Sequence, residues 1–149
     1  MLQKYISQLT SNTRLTTAYS LDRVRRLAEH FWNPQESYKT IHIAGTNGKW
    51  SVSQMTFVIL KEAWCKVGIF TSPYLLDITE SIETNDGYIP HERLTKYFEE
   101  ILKIAPQTTF FEAKTIAAFC YFRDTGCEYG VIEVGLGGRL DATNILNHP

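Results

Sequence analysis

Cysteine is scarce in this chain of 149 residues: Cys65, Cys120 and Cys127 are the full set, with no Cys-x-x-Cys pair and no Cys/His cluster around them. An odd, scattered set excludes a disulfide framework or a zinc site and reads as reduced thiols. Neither sign of charge predominates, since 15 Lys+Arg face 16 Asp+Glu. The chain therefore lacks the basic field that draws nucleic acid without regard to sequence. No apolar run approaches the ~18 residues of a membrane helix, and the opening MLQKYISQLTSNTR has neither the basic start nor the continuous apolar stretch of a signal peptide. These absences predict a soluble, cytosolic protein with no nucleic-acid or membrane partner. What is present, 44% hydrophobic and 13% aromatic residues, suffices for one domain. A chain of this size buries roughly 70% of its unfolded surface without help from a disulfide or metal.

Apolar spacing predicts helices over residues 20–31 (Leu21, Val24, Leu27, Ala28 and Phe31, with Ser20 as N-cap), from Ser51 to about Cys65, from Pro90 to before Pro106, and from Phe111 to about Asp124. Short apolar runs at TIHIAG, residues 67–70 and residues 130–134 read as strands. The polar stretch that runs on through Asp86-Gly87 reads as loop or hairpin. Strands alternating with helices predict an α/β fold, a mostly parallel sheet flanked by helices. In such sheets ligands bind beyond the carboxyl ends of the strands. The loops leaving those ends run from Gly45 to Ser51, Thr71 to Leu75 and Gly135 to Asn144, and they hold nearly all the unusual residues.

Gly45-Thr46-Asn47-Gly48-Lys49 stands between a strand and a helix. Glycines there let backbone N–H groups approach phosphate oxygens, the helix start adds partial positive charge, and Lys49 adds a full one. The strict phosphate-loop pattern is not met, because Ile43 and Trp50 replace its first glycine and final Ser/Thr. An ordinary glycine-rich turn with a solvated lysine remains the alternative at this point. Glu133 ends a buried strand and must be paired or metal-bound to offset its desolvation. Arg139 is one partner; Mg²⁺, which takes one or two carboxylates plus phosphate oxygens, is the other. A dinucleotide reading of Gly135-x-Gly137 fails, since position 140 is Leu. Phe110 and Phe111 are suited either to stacking on a flat ring or to the core.

HIAGTNGK, KVGIFTSPYL, TFFEA and VIEVGLGGRLDATN, in that order and at these separations, resemble dihydrofolate synthase/folylpolyglutamate synthase, a family of Mur-ligase-like ATP-dependent amide ligases. The resemblance runs from about Leu21 to Asn147. It implies a P-loop NTPase-like fold of the Mur ligase central-domain type. It implies further that Gly45, Thr46, Asn47, Gly48, Lys49 and Ser51 bind ATP, that Ser72 and Glu133 hold Mg²⁺, and that Lys49 and Glu133 are catalytic. Pterin contacts are implied at Thr109, Phe110, Phe111, Glu112, Leu140, Asp141 and Ala142. The reaction implied is attack of a dihydropteroate or folate carboxylate on the γ-phosphate of ATP, followed by displacement of phosphate from the acyl phosphate by L-glutamate.

The chain departs from the family pattern at Trp50, where the family has glycine, and the departure predicts weakened ATP turnover. Smaller departures are Tyr74 for His, Ser81 for Arg, and Lys114 for an uncharged residue. Ala18 stands where many bacterial members have Asp nearby. The resemblance implies a longer chain with a C-terminal glutamate-binding domain, so that residues 1–149 are the N-terminal part of the ATP-binding domain. A sheet left incomplete in this way predicts an exposed apolar edge and self-association.

Overall fold

The computed structural model describes residues 1–15, 20–147 and 149. Ala18 lies outside them. Among the described residues five α-helices and five strands follow in the order α1 (Leu2–Leu15), α2 (Asp22–His30), β1 (Lys39–Ile43), α3 (Lys49–Glu62), β2 (Val67–Phe70), β3 (Ile82–Thr84), β4 (Gly87–Tyr88), α4 (His91–Ile104), α5 (Phe110–Asp124) and β5 (Tyr129–Glu133). The sheet order is β1-β5-β2-β3-β4. β5 lies between β1 and β2 and is parallel to both, whereas β3 and β4 add an antiparallel hairpin. The parallel part is as the sequence predicts, and the hairpin makes the whole sheet mixed.

Residues on β2 and β5 alternate between two cores, as the period of two requires. Phe70 and Ile132 join the large core with α1, α2, α4 and α5, while Val67, Ile69 and Val131 pack beneath α3 around Phe57. Gly68 and Gly130 sit side by side on the inner strands. A Cβ on Gly68 would stand 2.3 Å from the Phe122 ring, and one on Gly130 2.6 Å from Tyr38. Both glycines thus let α5 and Tyr38 lie close against the sheet. Phe122, fully buried, meets Tyr38 edge-on at 5.9 Å. Removing such a ring costs about 3–5 kcal/mol.

Three sequence expectations shift. Helix α1 falls in a segment with no predicted helix, yet Leu2, Tyr5, Ile6 and Leu9 form a helical stripe that packs on the core. Helix α2 starts at Asp22, and Ser20 instead accepts the Asp22 N–H at 3.1 Å without capping the helix. In α3 the apolar stripe Val52, Met55, Val58 and Ile59 faces solvent, and Ser53 and Phe57 are the buried residues. Strand β1 forms one edge of the sheet beside α3. No helix among the described residues is long and apolar enough to cross a membrane.

Candidate functional site

Parallel register sets the site. Ile43 of β1 pairs with Glu133 of β5, and Phe70 of β2 with Ile132, so the three strands end together and release their loops at one edge. The first loop climbs into α3 through Gly48, whose φ of 77° is the left-handed conformation that glycine adopts without strain. Gly48 also occupies the N-cap position and supplies no side-chain cap. The amides of Lys49, Trp50 and Ser51 at the helix start are therefore open to an acceptor from outside, with the helix dipole behind them. Lys49 Nζ donates to Gly45 O at 2.9 Å and so arches over the loop. Thr46 and Asn47 lie exposed between the glycines, and the Trp50 indole is 57% exposed on the first turn.

Glu133 is buried, with 2% exposure, at the end of β5. Its Oε2 accepts the Ser72 backbone N–H at 3.0 Å, which ties the loop after β2 to the central strand. Among the described residues Glu133 makes no ion pair with Arg139, so the paired reading of this carboxylate is replaced. One backbone N–H is a thin offset for a buried carboxylate. The second oxygen and the Ser72 hydroxyl are hard donors suited to Mg²⁺, which keeps waters and phosphate oxygens as its other ligands. No group of three or more His, Cys, Asp or Glu gathers among the described residues. The donor set therefore fits a metal shared with phosphate better than an all-protein cage.

Beside this edge opens a cavity of about 590 Å³ between the 71–77 loop, the start of α5 and the 134–144 loop. Thr109, Phe110, Phe111, Glu112, Leu140, Asp141 and Ala142 all line it, as does Ser72. Several of these are also structural. Thr109 and Glu112 form a capping box for α5, in which Glu112 Oε2 accepts the Thr109 N–H and hydroxyl, each at 2.8 Å. The same oxygen takes Arg23 Nε at 2.8 Å and so pins α2 to α5. Asp141 folds the third loop by accepting Leu136 N at 2.8 Å and Thr143 N at 3.0 Å. Phe111 fills the space over Gly135, where a Cβ would stand 2.4 Å from its ring.

Four residues at this edge were absent from the sequence reading as site residues. His42 on β1 meets Thr143 Oγ1 at 2.9 Å, and that hydroxyl donates onward to Asp141 at 2.5 Å. The hydroxyl proton is thus committed, so His42 Nε2 is the donor in the first contact. Burial lowers the His42 pKa, against the opposing pull of Asp141. Glu80 gathers the N–H groups of Leu75, Leu76 and Asp77 and shapes the second loop; those bonds lower its pKa. Arg23 and Lys114 both line the cavity. A single lysine inside the otherwise uncharged, largely apolar run from Ala113 to Phe122 was the legible signal for Lys114.

Comparison with known proteins agrees with this geometry. Dihydrofolate synthetase of Saccharomyces cerevisiae is 45% identical over 130 residues, covering 85% of this chain and 30% of the relative. Folylpolyglutamate synthase of Thermotoga maritima superposes with a TM-score of 0.86 at 38% identity, over 98% of this chain and 36% of that one. A bifunctional folylpolyglutamate synthase/dihydrofolate synthase with Mn, AMPPNP and L-glutamate bound gives 0.87 at 32% identity, over 99% and 36%. No protein-family model matches the chain. These residues span about a third of the length of such relatives. Sequence and fold concur over nearly all of the 149 residues, and the chain is homologous to a part of the dihydrofolate synthase/folylpolyglutamate synthases.

Proposed function

We propose that this chain forms the ATP- and pteroate-binding part of a ligase that joins L-glutamate to dihydropteroate or folate. The observation that carries the reading is the meeting, at one sheet edge, of an uncapped glycine loop, the Ser72–Glu133 pair and a largely apolar cavity. ATP with Mg²⁺ supplies the phosphoryl group that activates the substrate carboxylate toward the amine of glutamate. The amides at residues 49–51 and the Lys49 ammonium hold phosphate charge, which is most of what phosphoryl transfer asks of a protein. Ser72 and Glu133 hold the metal, and the cavity orients the flat ring so that its carboxylate points toward the loop. Residues 1–149 act on this reading as the N-terminal part of the ATP-binding domain, with the glutamate-binding domain supplied by the longer protein.

Titration calorimetry of Mg-ATP into the chain, with and without dihydropteroate, tests the proposal. Binding that strengthens with the second ligand is expected, and a folded chain that binds neither abandons it. A second reading, a non-catalytic relative of such ligases, draws on Trp50 beside the phosphate loop and predicts a folded chain without Mg-ATP affinity. A phosphate-loop kinase, the other alternative, would need no pteroate. The edge strand β1 and the exposed stripe on α3 also favour self-association, which sedimentation velocity would register as mass rising with concentration.

A further inference from the structure

Lys114 is 3% exposed on the first turns of α5, and its ammonium lies 5.3–6.0 Å from the ring centres of Phe70, Tyr74, Phe110 and Phe111. Its one hydrogen bond goes to Ser81 Oγ at 3.1 Å, and no carboxylate pairs with it among the described residues. The elements packed around it offer no free counter-charge. Glu112, on the same helix, is taken by Arg23 and Thr109. Asp141, across the cavity, is taken by Leu136 and Thr143. Tyr74 from the second loop, Ser81 from the turn before β3 and Phe70 from β2 complete the surround. The rings soften the burial of the cation by facing it with their negative π surfaces, and two of its three N–H donors remain uncommitted.

A buried cation without a counter-charge is costly to keep, and here it lines a cavity walled by aromatic rings. Ser72 and Gly135 line the cavity at the sheet edge that also releases the glycine loop, so a carboxylate bound for a phosphate there lies toward that side of the cavity. We propose that Lys114 is the specificity residue at the floor of the cavity, donating to the ring carbonyl and ring nitrogens of a flat heteroaromatic ligand that stacks on Phe110 or Phe111. The inference rests on the pteroate reading given above.

Two probes separate the ends of such a ligand: 6-hydroxymethylpterin, a ring without the carboxylate arm, and p-aminobenzoylglutamate, an arm without the ring. Each is titrated into the 149-residue chain and into Lys114→Met and Lys114→Arg. The ring probe is expected to bind the wild type, to weaken at least about tenfold in Lys114→Met and to recover in part in Lys114→Arg, while the arm probe is unaffected. Equal binding of the ring probe to wild type and Lys114→Met overturns the inference, as does a loss confined to the arm probe. No binding of either probe to a folded wild type overturns the pteroate reading beneath it. Should Lys114→Met fail to fold, the comparison of wild type with Lys114→Arg from about pH 6.5 to 9.5 replaces it. Burial brings the Lys114 pKa down to about 8, so the wild type loses ring affinity above that pH relative to the arginine variant; a constant ratio contradicts the inference.

Discussion

The Ser72 backbone N–H and the Glu133 carboxylate meet at 3.0 Å, joining the loop after β2 to the end of the central strand. Glu133→Gln preserves an acceptor for that N–H and removes the charge. The variant is expected to fold with stability changed by no more than about 1 kcal/mol, and to bind Mg-ATP at least about tenfold more weakly. Calorimetry with Mg²⁺ and with a chelator distinguishes the metal-dependent part. If the variant keeps wild-type Mg-ATP affinity, Glu133 holds no metal.

Trp50 puts an exposed indole on the first turn of α3, beside amides that a phosphate would use. Trp50→Gly is expected to tighten Mg-ATP binding while costing about 1 kcal/mol of helix stability, because glycine is a poor helix former. Affinity and melting temperature therefore move in opposite directions. Unchanged affinity means that the indole does not crowd the nucleotide.

Glu112 closes a capping box and an ion pair with one oxygen. Glu112→Ala is expected to lose about 2–4 kcal/mol in urea denaturation, since it uncaps α5 and leaves Arg23 partly buried without its partner. Glu112→Gln, which retains an acceptor for Thr109, should lose clearly less. Equal losses in the two variants would assign the effect to packing rather than to capping.

Lys114 falls from its ordinary 10.5 to about 8 through burial alone. Between those values the unfolded chain holds a proton there that the folded chain has released, so stability rises with pH across that window. Below about pH 8 both states are charged, and the full penalty, about 3 kcal/mol, is present. Lys114→Met should melt several degrees higher than wild type at pH 7, with the two curves converging near pH 10. Circular dichroism over that range checks it, and a variant no more stable at pH 7 contradicts an uncompensated buried charge.

Most of the helices, the three parallel strands and the loops that carry the site were legible from sequence, because apolar period and glycine placement are local properties. The residues that the motif resemblance implies as pterin contacts all line one cavity. Helix α1 was harder to read, since four apolar positions in a polar segment declare a helix only once a core exists to receive them. The roles of Ser81 and Lys114 were illegible singly: they are 33 residues apart, and only folding puts the ammonium on the hydroxyl.

The sequence by itself determined where most of the chain is extended or helical and which side chains are candidates for phosphate and metal chemistry, because propensity, periodicity and functional groups are written residue by residue. Tertiary structure alone decided that β5 enters between β1 and β2, that Glu133 meets Ser72 and not Arg139, and that one stripe of α3 faces outward. Those outcomes depend on which distant segments pair and which faces they cover, and the energy of burial is shared among residues that have no proximity until the chain has folded.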